Sequence, residues 1–173
     1  MIEILNIFYL FFIIVIIFSF PLQNTYLKKK LSLTKLNIFE IYSLNILIIL
    51  TFFLFFSFFK ISLDLIFFSI LFLALINFYS IEWKPFIKNF YLLIFFSLFY
   101  LVFSIEISTY PYLEWDAAVN WIFKTLNFKN NYSFQNLENV PGLLGYPHLG
   151  TYLWAFFWEI SFIDREYTGR LSF

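Results

Sequence analysis

The stretch Ile4–Leu22, "ILNIFYLFFIIVIIFSFPL", carries no charged residue. An uninterrupted apolar run of about 20 residues matches the ~30 Å hydrocarbon thickness of a bilayer, so the fold class turns on it. A cleaved secretory leader is the competing reading. It is disfavoured because Glu3 is the only early charge, the apolar run is too long, and no small-x-small site follows. Three further runs resemble the first: Ile41–Phe59, Leu65–Ile81 and Phe90–Ile105. None alternates with the period of two expected of barrel strands, so each is expected to be a helix. A fifth apolar segment, Leu149–Ile163, is shorter and contains Glu159.

Composition supports the same expectation. The chain is 62% hydrophobic and 13% charged, with mean hydropathy +0.82. A soluble domain of this size buries only part of its surface and would struggle to hide that much apolar area. The fold predicted from sequence is therefore all-α: a polytopic transmembrane bundle of about five spans, judged by the length a span needs. Formal net charge is zero and argues against a nucleic-acid partner. With no cysteine, disulfides and thiolate chemistry are excluded. The 29 Phe lie within a residue bias towards Phe, Ile, Asn and Lys, so a single aromatic residue carries little signal.

Lysines set the expected orientation. Lys28, Lys29, Lys30 and Lys35 separate the first two runs, and Lys84 and Lys88 separate the third and fourth. Lys-rich short loops mark the cytoplasmic side. The N-terminus and the loop 106–148 are then expected outside the cytoplasm of an integral protein of a bacterial inner (plasma) membrane. Three regions follow: four membrane helices over 1–105, an extracytoplasmic loop over 106–148, and a fifth membrane segment over 149–173.

The loop holds most of the chemistry. "EWDAAVNWIFKTL", Glu114–Leu126, follows Pro111 and reads as a short interfacial helix. Asp116, Asn120 and Lys124 are spaced i, i+4, i+8 and form a polar stripe. Trp115, Ala118, Val119, Ile122, Phe123 and Leu126 fall on an apolar side, with Trp115 and Trp121 at headgroup level. A solvated helix face accounts for this pattern as well as a catalytic one does. Further on, "VPGLLGYPHLG" is broken by Pro141, Gly142, Gly145, Pro147 and Gly150, and holds the only histidine, His148. A lone histidine is more often structural than functional; at the surface expected for Asp116 it becomes a partner for a phosphate or a sugar hydroxyl. One histidine and scattered carboxylates give no recognisable metal-ligand set, and no cofactor is expected.

The pattern Trp115-Asp116, Trp121, Lys124 and then Tyr146-Pro147-His148 before an apolar helix resembles the first large external loop of GT-C polytopic glycosyltransferases. The bacterial protein mannosyltransferases and the lipid A aminoarabinose transferases are the relatives it is most similar to. The likeness covers Tyr110–Phe162. It implies an enzyme that moves a sugar from a polyprenyl-phosphate carrier in a lipid bilayer to a glycan, lipid or protein acceptor. It implies that Asp116 is the catalytic base, and that Glu114, Asn120, Trp121, Lys124 and His148 bind substrate. Two features depart from the family: three additional apolar runs precede the equivalent helix, and the chain ends at "TGRLSF", where the family continues with more helices and basic residues. The resemblance therefore implies an N-terminal fragment, inactive alone. Two other classes stay open. Asp64 and Glu159 would mark the path of a small-solute transporter; a noncatalytic scaffold would use the loop only as an interface.

Overall fold

The computed structural model describes residues 2–19, 29–30, 38–78, 90–109, 117–139 and 148–171. The elements within them are helices, with no strand. Helix α1 spans Ile2–Ser19, α2 Ile38–Phe56, α3 Leu63–Phe78 and α4 Phe90–Thr109. A π-helical turn, Ala117–Trp121, leads into α5, Ile122–Lys129. A 3-10 turn covers Phe134–Asn139; α6 follows at Leu149–Glu159 and α7 at Tyr167–Arg170. The ends of two helices follow from proline. α1 stops at Ser19, two residues before Pro21, and α4 at Thr109, two before Pro111. Proline disfavours helical backbone in the residue preceding it.

The core is organised around α6. Its residues Thr151 through Phe157 are all buried, as expected of a helix apolar on every side. It packs most extensively on α5, then on α7 and α2. Phe156 meets Phe53 of α2 edge-on, with ring centroids 4.8 Å apart, and Tyr152 stands perpendicular to Phe128 of α5 at 5.0 Å. Leu10, Ile13 and Ile17 of α1 and Leu63 and Ile66 of α3 complete the same cluster. Burial of each such side chain contributes about 1.5–3 kcal/mol relative to exposure.

Polar groups pin the helices to one another. Asn6 of α1 is fully buried, and its Oδ1 accepts hydrogen bonds from Phe162 N at 2.9 Å and Ser161 Oγ at 3.2 Å. Beside it Glu3 pairs with Arg165 at 3.4 Å, so the start of α1 is tied to the segment after α6. The turn after α2 is hooked to the 3-10 segment, because Phe134 N donates to Ser57 O at 2.7 Å. Helix α7 lies against α6 where Gly169 meets Trp154, and Trp154 Nε1 donates to Glu166 O at 3.1 Å.

This architecture corrects the expected transmembrane bundle. Among the described residues no helix is long and apolar enough to cross a membrane. Two of the expected spans are short: α3 has 16 residues and α6 only 11, against about 20 for a span. The longer helices carry polar groups within their length, Glu3 and Asn6 in α1, Glu40 and Asn45 in α2, and Glu106 in α4. The all-helical expectation holds; the polytopic membrane bundle and the integral multi-pass localisation, with residues 106–148 as its external loop, are not supported. Away from α6, the outer faces of α3 and α4 expose apolar side chains such as Phe68, Phe72, Leu98 and Val102.

The interfacial helix is corrected as well. The π turn over Ala117–Trp121 adds a residue to the turn and shifts the 3.6-residue register between Asn120 and Lys124; Asp116 lies outside the described residues. Helix α5 buries Lys124, Thr125 and Phe128, whereas Phe123, expected on the apolar side of the helix, is 55% exposed.

Candidate functional site

The π turn and α5 place Lys124 in the interior, where it is 1% exposed. Thr125 stabilises the junction of the two helical forms: its Oγ1 donates to the Trp121 carbonyl at 2.9 Å. Around Lys124 the walls are aromatic. Its Nζ stands 5.7 Å from the Phe134 ring centre. Phe134 in turn lies 4.3 Å from the His148 ring, and Phe58, from the turn after α2, packs edge-on to His148 at 5.3 Å. His148 immediately precedes α6, and its carbonyl accepts from Tyr152 N at 2.9 Å and Thr151 Oγ1 at 2.9 Å. Separate parts of the chain thus converge: the α2–α3 turn, α5, the 3-10 segment and the start of α6.

The electrostatics follow from this enclosure. Burial pushes the Lys124 pKa down from its usual 10.5, because a low-dielectric surround disfavours the charged form. Burial also lowers His148 from 6.5, and the neighbouring Lys124 charge lowers it further. Both effects favour the uncharged forms of the two groups. His148 Nε2 is a buried atom without a hydrogen-bond partner among the described residues. Lys124 and His148 thus stand together between the Phe134 and Phe58 rings.

The residues expected from sequence divide between the described and undescribed parts. Glu114 and Asp116 lie outside the described residues, as do Trp115, Tyr146 and Pro147. Asn120 and Trp121 sit half-buried on the π turn, and Lys124 and His148 are brought together. The two acids of the transport reading are placed otherwise. Asp64 occupies the first turn of α3, where a helix N-terminus favours negative charge. Glu159 pairs with Lys129 at 3.3 Å, and Asp164 joins the same ammonium at 3.2 Å while accepting from Trp158 Nε1 at 2.7 Å. Burial lowers the Lys129 pKa, but its bonds to Asp164 and Glu159 outweigh that effect and leave it raised.

Sequence reasoning missed Tyr152 and Thr125. Tyr152 is four residues after His148, a spacing that puts both on one helix face, yet a tyrosine in so aromatic a chain gives no signal by itself. Among the described residues, no cluster of three or more His, Asp and Glu is placed to hold a metal ion. No protein-family model, curated protein or solved structure matches the chain.

Proposed function

We propose that the chain takes part in sugar transfer from a polyprenyl-phosphate donor, with the Lys124–His148 pair receiving the donor's phosphate. The observation that carries this reading is the burial of Lys124 beside His148, on a helix that starts shortly after Asp116. The resemblance of Trp115-Asp116 and Tyr146-Pro147-His148 to the loop of GT-C glycosyltransferases supports the same chemistry. π turns recur at functional sites, and here one separates Asp116 from Lys124.

In the proposed reaction Asp116 removes the proton from the acceptor hydroxyl as its oxygen bonds to the anomeric carbon. The bond from that carbon to the phosphate oxygen breaks, and the phosphate leaves with the electron pair. A carboxylate in hydrogen-bond reach contributes about 10²–10⁴-fold to such a step. Lys124 and His148 act on the other side, where charge accumulates on the leaving phosphate; a pre-aimed donor of this kind is worth about 10²–10³-fold. Glu114, Asn120 and Trp121 border the sugar.

The test is transfer in the full-length protein, supplied with vesicles containing a polyprenyl-phosphate sugar. Asp116→Asn is expected to abolish transfer without loss of folded protein. Retention of wild-type transfer by the variant removes the catalytic assignment of Asp116, and absence of transfer from the unaltered protein favours a noncatalytic scaffold.

A further inference from the structure

Helices α2, α3 and α4 turn apolar faces outward. Leu47 and Phe55 lie on such a face of α2, Phe68 and Phe72 on one of α3, and Leu98 and Val102 on one of α4, each side chain more than half exposed. Spacings of four and eight residues keep each pair on one side of its helix. The stretches that carry them, Ile41–Phe59, Leu65–Ile81 and Phe90–Ile105, hold no charged residue. Apolar faces exposed to this extent mark a site of interaction.

Three observations identify the occupant. Helices α2, α3 and α4 all pack on α1, while α2 and α3 also meet α6 and α4 meets α7. Their outer sides therefore look away from a shared interior in different directions. A single partner surface covers one of them; a fluid of acyl chains covers all three. Hydroxyls on these faces are turned inward. Thr51, midway between Leu47 and Phe55, donates from Oγ1 to Leu47 O at 2.7 Å, and Ser69, beside Phe68, donates from Oγ to Leu65 O at 2.7 Å. Both donors are met by their own helix although the side chains are exposed, the arrangement demanded where water is absent. Finally, the turn where the faces of α2 and α3 end carries Lys60 and Asp64, and Lys60 Nζ stands 5.9 Å from the ring centre of the exposed Tyr132. Charge with tyrosine at the border of an apolar face is the pattern of the headgroup level.

We infer that the outer faces of α2, α3 and α4 seat against the acyl chains of a phospholipid surface, with Lys60 and Tyr132 among the headgroups. The contact needs no crossing helix, and among the described residues none is long and apolar enough to be one. It is independent of the sugar-transfer reading.

Flotation of the full chain with neutral phosphatidylcholine vesicles, at low and at high salt, tests the contact. The protein is expected to rise with the vesicles in both, because apolar burial holds it and salt screens only charge. Phe72→Trp and Leu98→Trp each place an indole on one of the faces, and lipid brominated in the middle of its acyl chains is expected to quench the added fluorescence. Phe72→Lys combined with Leu98→Lys alters exposed positions only, so helical circular dichroism is retained while vesicle partitioning falls about 10-fold or more. Wild-type partitioning by that double variant, no quenching of the added indoles, or binding confined to anionic vesicles and lost in salt overturns the inference. So does a folded protein that stays off the vesicles as a dimer or larger assembly, which assigns the faces to a second copy. Vesicle binding reads the lipid contact alone, so failure of sugar transfer leaves it standing.

Discussion

Replacing Gly169 by alanine probes how tightly α7 is held on α6. A methyl group on Gly169 would fall within the van der Waals shells of the Trp154 carbonyl oxygen and Cδ1, and at 3.1 Å from the Trp154 carbonyl carbon. Two of these three atoms are backbone of the buried helix α6, so the strain cannot be relieved by turning one flexible side chain. Opposing this, alanine is favoured over glycine within a helix by about 1 kcal/mol. The clash outweighs that gain: added volume in a filled interior costs about 1–3 kcal/mol. Moving α7 outward also stretches the bond from Trp154 Nε1 to Glu166 O, 3.1 Å long, which is worth a further ~0.5–1.5 kcal/mol. The net expectation for Gly169→Ala is a loss of roughly 1–3 kcal/mol, and a fall in Tm of about 2–4 °C for each kcal/mol in a chain of this size. Thermal unfolding followed by circular dichroism measures it, and tryptophan fluorescence reports the altered surroundings of Trp154. A variant as stable as the wild type, or more so, would refute the packing described for α7.

Other perturbations follow from the same contacts. Asn6→Ala removes the acceptor shared by Phe162 N and Ser161 Oγ and is expected to cost about 1–3 kcal/mol, measured by chemical denaturation. Phe156→Ala empties a site with no exposure, next to Phe53 and Phe157; the expected loss is about 3–5 kcal/mol. His148 has a folded pKa below its ordinary 6.5, through burial and then Lys124. Its contribution is therefore present above pH 6.5 and declines as the pH falls from there towards the lower folded value. Melting temperatures across roughly pH 4–8 should show this slope, and His148→Phe should flatten it.

Much of the helical framework is legible in the sequence. Long charge-free runs locate helices well, and Ile4–Leu22 and Phe90–Ile105 overlap α1 and α4 closely. What surrounds those helices is not legible in the same way. Whether a run crosses a bilayer depends on helix length and on the polar groups inside it, and Asn6, a single polar residue early in an apolar stretch, proves to be the anchor of the segment after α6. The site is partly legible. Lys124 and His148 stand out as chemistry-bearing residues near Asp116 in the sequence, but the i, i+4 rule only assigns Lys124 to a polar stripe that faces either water or a cavity. The fold, with a π turn that side-chain periodicity does not reveal, buries it.

The functional reading stands on one feature, a Lys124 amine enclosed beside His148. Side-chain NMR of the lysine Nζ groups, followed through a pH titration with and without inorganic phosphate, tests this directly. One lysine signal, lost in Lys124→Gln, is expected to titrate below 10.5 and to shift upward when phosphate is added. A Lys124 signal that titrates with the exposed lysines and ignores phosphate would contradict it.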